Sequence, residues 1–207
     1  MPAVIRRVAV NLLVAVLGLV VGLLIAYILW ARSQPPLGLW HQVELDEELT
    51  AARAGDIGTL VDYLALEARV FDEMDREVYA RTPVGPDQVL NRFSSGSAAD
   101  PRERQPSWNR TFELIPDAPV GGVLLLHGMS DGPYSLRALG QALYSRGYRV
   151  LGLRMPGHGT VPAGLLDVTW EAMAAVTRLG AAHLGAAVNG RPIHVIGYST
   201  GAALALD

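Results

Sequence analysis

Residues 194–207 read HVIGYSTGAALALD, and within them Gly197-Tyr198-Ser199-Thr200-Gly201 fits the pattern G-x-S-x-G. An apolar, strand-forming run precedes the pentapeptide and the helix-forming Ala-Ala-Leu-Ala-Leu follows it. That setting gives the pattern its meaning. A serine held in a sharp strand-to-helix turn is forced into a strained backbone conformation, and its hydroxyl then projects above the sheet. Gly197 and Gly201 leave room for the crowded backbone. Ser199 also falls at a helix N-terminus, where free N–H groups and the helix dipole favour developing negative charge. The pentapeptide alone leaves a second reading open, a serine that merely caps an ordinary strand-to-helix turn.

Upstream of this stretch, the pattern from residue 110 onward alternates strand, turn and helix. TFELI (111–115), GGVLLLHG (121–128), YRVLGLRM (148–155) and PIHVIGYS (192–199) read as strands. Between them lie a helix from about Pro133 to Arg146, with Leu136, Leu139 and Leu143 inward and a stop at Gly147, and a helix capped by Thr169 and running to about Leu184. Short continuous apolar strands separated by helices imply parallel strands buried on both faces, an α/β architecture.

Two further loops gather chemistry at the same strand ends. In VLLLHGMSDGPYS (123–135), His127-Gly128 closes an apolar strand, and the loop before the next helix is placed to supply a backbone donor. Acyl transfer turns a carbonyl oxygen into an oxyanion, which two preorganised N–H groups stabilise. The candidates are the N–H groups of Met129 and Thr200. The His127 side chain itself is read as a buried group that shapes the loop. LRMPGHGT (153–160) follows the next strand, with Gly157 and Gly159 around His158 in a tight turn. No carboxylate or second histidine stands at ligand spacing from His158, so no metal site is expected.

HG after one strand, PGHGT after the next and GYSTG after the third together resemble the α/β-hydrolase superfamily, in particular its monoglyceride lipase, carboxylesterase and serine aminopeptidase-like branch. The resemblance covers roughly residues 110–207. It implies a Ser-His-Asp/Glu hydrolase with Ser199 as nucleophile, Met129 and Thr200 at the oxyanion positions, His127, Gly128, His158, Gly197 and Gly201 shaping the site, and no metal or organic cofactor. The chain departs from the family in one respect. The acid and the histidine follow the serine in chain order in that fold, whereas the histidines at 41, 127, 158, 183 and 194 all precede Ser199 and only Asp207 follows it. His194 begins the strand that feeds the turn, roughly 16 Å from Ser199 along it, too far to act as base. The expectation is therefore an α/β-hydrolase sheet incomplete at its C-terminus, inactive as it stands for want of a base, with an apolar strand at an unpaired edge that favours aggregation.

The N-terminus carries a different signal. VAVNLLVAVLGLVVGLLIAYILWA (8–31) has no charge and one polar side chain, Asn11. As a helix it is roughly 36 Å long, enough to cross a hydrocarbon core of about 30 Å. A cleaved signal peptide is the competing reading, but the apolar run is longer than such segments and WARSQPP lacks a small-x-small cleavage site. Arg6 and Arg7 precede the span, and the region after it is strongly acidic. The positive-inside rule then keeps the N-terminus cytoplasmic and exports the rest of a single-pass protein. Gly18, Gly22 and Ala26 form a small-residue stripe that could pair two such helices, though the spacing is common in Gly/Ala-rich spans.

The expected organisation is thus an anchor (1–33), a middle region (34–107) and the N-terminal part of a hydrolase domain (108–207). In the middle region SQPPLGLW leaves the membrane extended, and LDEELTAARAGD and TLVDYLALEARVFDEMDREVYA read as helices. The second has Leu60, Leu64, Phe71, Met74 and Val78 on one face, Asp62, Glu73 and Glu77 on a solvated one, and Thr59 as N-cap. Residues 82–107, rich in Pro, Gly and Ser, read as a linker at the domain boundary. Asn109-Arg110-Thr111 matches a glycosylation acceptor, a frequent pattern given no weight.

Composition excludes other classes. A net charge of -3 offers no field for nucleic acid, the absence of lysine among the basic residues reads as codon bias, and with no cysteine there is no disulfide framework or thiolate site. The expected function is hydrolysis of carboxylic esters, some of them lipid-derived, since a tether suits substrates that partition into membranes. The alternative is a tethered hydrolase-like protein that binds without turnover.

Overall fold

The computed structural model describes residues 3–104, 107 and 109–207, and the chain divides into two compact units, 1–37 and 38–207. The first is a single helix, α1 (Ala3–Arg32), with a mean hydropathy of 3.0 over its most apolar window and no buried residue. It is long and apolar enough to cross a membrane.

The second unit is built on four strands: β1 (Phe112–Leu114), β2 (Gly121–Leu126), β3 (Tyr148–Leu153) and β4 (Ile193–Gly197), in the order β1-β3-β2-β4. β2 pairs in parallel with both β3 and β4, while β1 runs antiparallel to β3. Alternation along the strands sends side chains to opposite faces. Leu124, Leu126, Leu151 and Leu153 join one core with α2 (Leu60–Glu77) and α4 (Trp170–Ala187); Val123, Leu125 and Val150 join Phe112 in a second. Leu136 and Leu143, on and just before α3 (Arg137–Tyr144), close that second core. β2 is buried throughout, as a central strand requires, whereas β4 lies at an edge and leaves Val195 38% exposed.

The expected helix at 133–146 is a tight turn (Pro133–Leu136) followed by α3, ended where Gly147 takes φ 86. Thr169 caps α4 through its hydroxyl, which accepts the Ala172 N–H at 3.3 Å. Thr59 and Asp62 form a reciprocal capping box at the start of α2.

The middle region differs most from expectation. It belongs to the same compact unit as the sheet, and 82–104 lies inside that unit, with Phe93 stacked on Trp40 at 5.4 Å between ring centroids. LDEELTAARAGD forms only a short 3-10 segment at Ala51–Asp56. The carboxylate of Glu73, expected in solvent, is buried and accepts the N–H groups of Asp46 and Glu47, each at 2.9 Å. Leu64, expected inward, is 37% exposed, and Tyr63, Leu66 and Val70 carry the packing face instead. In Asn109-Arg110-Thr111 the Thr111 hydroxyl donates to Glu67 at 2.7 Å and accepts the Arg154 N–H at 3.0 Å.

Candidate active site

Ser199 links β4 to α5 (Thr200–Leu204) with φ 53 and ψ −125. A capping serine sits in extended backbone and bonds an N–H of the first turn. Ser199 does neither: its φ is positive and its hydroxyl makes no capping hydrogen bond. A non-glycine residue there costs of order 1–3 kcal/mol and persists only where its surroundings impose it. Here they do. A Cβ on Gly201 would stand 2.2 Å from the Leu126 carbonyl oxygen, and one on Gly197 would stand 2.2 Å from the Gly201 oxygen. The first turn of α5 is thus pressed against the end of β2, and Ser199 is left exposed at its apex.

The His127-Gly128 loop packs on the same apex. A Cβ on Gly128 would lie 3.2 Å from Ser199 Cβ and 2.8 Å from the Tyr198 ring. The loop then turns through Ser130 at φ 57, held by the Asp131 N–H donating to the Gly128 carbonyl at 3.3 Å. No acceptor among the described residues takes the N–H of Met129 or of Thr200. The structure therefore gathers Ser199, Thr200, Gly128 and the Met129 loop at the carboxyl ends of β2 and β4, where parallel sheets place their ligands.

His127 is buried and bonded to backbone through both ring nitrogens. Its Nε2 accepts the Met155 N–H at 3.0 Å, so the proton lies on Nδ1, which donates to the Gly128 carbonyl at 2.9 Å. The ring bridges β3 to the loop beside Ser199 and stacks edge-on against His158 at 5.0 Å. Burial pulls its pKa down to about 4, against the opposing Gly128 hydrogen bond. Because the folded value lies below the unfolded value of about 6.5, the neutral ring contributes stability above pH 6.5 that is lost as pH falls towards 4, about 3 kcal/mol in all. A histidine NMR titration is expected to find His127 still neutral at pH 5. Protonation near pH 6.5 would show that the ring is not held in this bridge.

His158 is buried as well, with Nδ1 bonded to the Pro156 carbonyl at 2.8 Å and Nε2 without a partner among the described residues. Burial lowers its pKa, and the nearby Arg154 adds to the effect. His194 packs edge-on against Tyr148 at 5.7 Å, and His183 on α4 is bonded to Glu113 at 2.9 Å. Asp207 pairs with Arg178. Among the described residues no imidazole is hydrogen-bonded to the Ser199 hydroxyl.

One group escaped the sequence reading. Arg154, fully buried just past the end of β3, donates through Nε to the His158 carbonyl at 2.6 Å and through its other nitrogens to Glu48 and, at 3.4 Å, to the Tyr63 hydroxyl. Tyr63 donates in turn to the Arg154 carbonyl at 2.9 Å. Burial alone would weaken the guanidinium's hold on its proton, but Glu48, Tyr63 and Glu67 outweigh it and its pKa lies above the ordinary value. The only trace in the sequence is a charge directly after an apolar strand.

Residues 123–207 match the model of the alpha/beta hydrolase family. A solved structure from work on LipS and LipT, two metagenome-derived lipolytic enzymes, is 27% identical to this chain over 48% of its residues, with a TM-score of 0.44. The match takes in 39% of that chain, so the present chain spans about two fifths of its length. No curated protein matches. The fold is thus that of the α/β hydrolases, represented by a four-stranded part of their sheet, in a chain whose N-terminal helix is apolar enough to span a membrane.

Proposed function

We propose that this chain belongs to a membrane-anchored serine hydrolase that cleaves carboxylic esters through an acyl-enzyme. The observation that carries the reading is the conformation of Ser199, strained at φ 53 and free of any capping bond. In this reading Ser199 Oγ attacks the ester carbonyl and its proton passes to a base. The N–H groups of Met129 and Thr200 stabilise the oxyanion, each typically worth about 3 kcal/mol. The alkoxide leaves with a proton returned by the base, and water then resolves the acyl-enzyme. None of the five histidines is hydrogen-bonded to Ser199 among the described residues, and no base or acid partner is assigned to any of them. The branch that the motifs resemble, with its monoglyceride lipases, makes membrane-partitioned esters the favoured substrates. The Arg6 and Arg7 bias puts the hydrolase unit on the non-cytoplasmic side of α1.

The test is fluorophosphonate labelling of the protein as its own cells make it. Ser199 is expected to take the label and Ser199→Ala to lose it. An unlabelled Ser199 would instead favour a tethered protein that binds without turnover.

A further inference from the structure

Beside the Met129 loop lies a cleft of about 270 Å³ between the Gly157–Thr160 loop and the turn that carries Phe93. Its size falls just under the roughly 300 Å³ at which pockets begin to enclose whole drug-sized ligands, so it suits one portion of a substrate. Phe93 forms one apolar wall, with Val161, Pro162 and Leu165 opposite, and Ser130, next to Met129, joins the cleft to the oxyanion loop.

Both walls are fixed. Phe93 is buried against Trp40 and Tyr79, at 5.4 and 6.5 Å between centroids, and its N–H is held by Asn91 at 3.0 Å. The opposite loop turns at Gly157, φ 74, where a Cβ would meet the Gly164 oxygen at 2.3 Å, and is fastened through the His158 carbonyl to Arg154.

Arg92 lines the cleft with an exposed side chain, its guanidinium 5.4 Å from the Phe93 ring centroid, and among the described residues that line it no other is charged. The nearest acids stand behind the lining, Asp131 next to Ser130 in sequence and Glu48 accepting from the Thr160 hydroxyl at 3.4 Å. A larger cavity, about 390 Å³ and bounded by Pro116, Arg149 and Asn189, lies at the amino ends of the strands, away from the end where such sheets bind ligands.

We infer that the cleft binds the short apolar part of an anionic amphiphile, with Phe93, Val161 and Leu165 burying the chain and Arg92 holding a carboxylate or phosphate. Its use as a substrate subsite rests on Ser199 being the nucleophile; the binding does not. The specificity would then come from residues 92–93, outside the segment that matches the hydrolase model.

The full chain in nanodiscs of neutral lipid is titrated with octanoate, octyl phosphate and octan-1-ol, reading the amide NMR shifts of Ser130, Gly157 and Gly159. At least one anion is expected to bind about fivefold tighter than the alcohol, a charge-assisted margin at a partly exposed cation, and the tighter anion identifies the preferred headgroup. Arg92→Gln is expected to remove the margin and Leu165→Trp to weaken all three ligands. Equal affinities for anion and alcohol, a margin that survives Arg92→Gln, or saturation that moves none of the three amides overturns the inference. If Ser199 takes no fluorophosphonate while octanoate binds as described, the cleft stands and the hydrolase reading falls.

Discussion

Arg154→Met is expected to cost about 3–5 kcal/mol of unfolding free energy, the usual range for removing one partner of a buried ion pair. Arg154 has no exposed surface, and Glu48 has almost none. Methionine fills most of the volume, so the loss is electrostatic. Glu48 would lose its cation, Glu67 would lose the charge that opposes its burial-raised pKa, and the His158 carbonyl would lose its donor. Denaturant titration of the chain in detergent measures the loss. The double variant Glu48→Leu/Arg154→Met is expected to recover most of it, because apolar replacement of a whole buried pair is often neutral. A single-variant loss under about 1 kcal/mol would mean that water reaches the pair and that the network does not hold the Gly157–Thr160 loop.

The same residue marks the boundary of what the sequence discloses. The strands, their helices and the turn at Ser199 were legible because each is written locally: apolar runs of strand length, Thr169 before a helical run, glycines flanking a serine. The burial of His127 was also legible, since a histidine at the end of a buried strand has few alternatives to bonding the adjoining backbone. The partnership of Glu48, Tyr63 and Glu67 with Arg154 was not, because it joins residues as much as 106 positions apart and no periodicity encodes such a pairing. For the same reason Glu73 on the acidic helix α2 looked solvated: it is spaced like a surface charge, yet it is buried against the backbone of Asp46 and Glu47, which only the tertiary fold brings near. Residues 82–107 looked like a linker for their Pro, Gly and Ser. Within 82–104, which are described, those residues build tight turns whose hydroxyls satisfy the backbone, as Ser94 does at the Pro83 carbonyl and Ser97 at the Asn91 carbonyl, and Phe93 packs on Trp40 and Tyr79; residues 105 and 106 lie outside the described residues.

Gly201→Ala is expected to cost at least about 2 kcal/mol in stability, although alanine is the better helix former by about 1 kcal/mol. The added methyl would meet two backbone oxygens, Leu126 at 2.2 Å and His127 at 2.6 Å. Neither can rotate away as a side chain would, so the start of α5 must withdraw from the end of β2. That movement carries Thr200 away from the Met129 loop. If those two N–H groups form the oxyanion site, fluorophosphonate labelling of Ser199 should slow by about 10²–10³-fold, the effect of losing one donor, even in molecules that remain folded. Ser199→Gly is the complementary variant. It removes the nucleophile, and because glycine adopts φ 53 freely it should raise stability by about 1 kcal/mol or more. Opposite signs at two positions two residues apart would show that the turn holds Ser199 under strain by close packing of Gly201 on β2. If Gly201→Ala is tolerated and Ser199→Gly destabilises, the turn is relaxed and the case for Ser199 as nucleophile loses its main support.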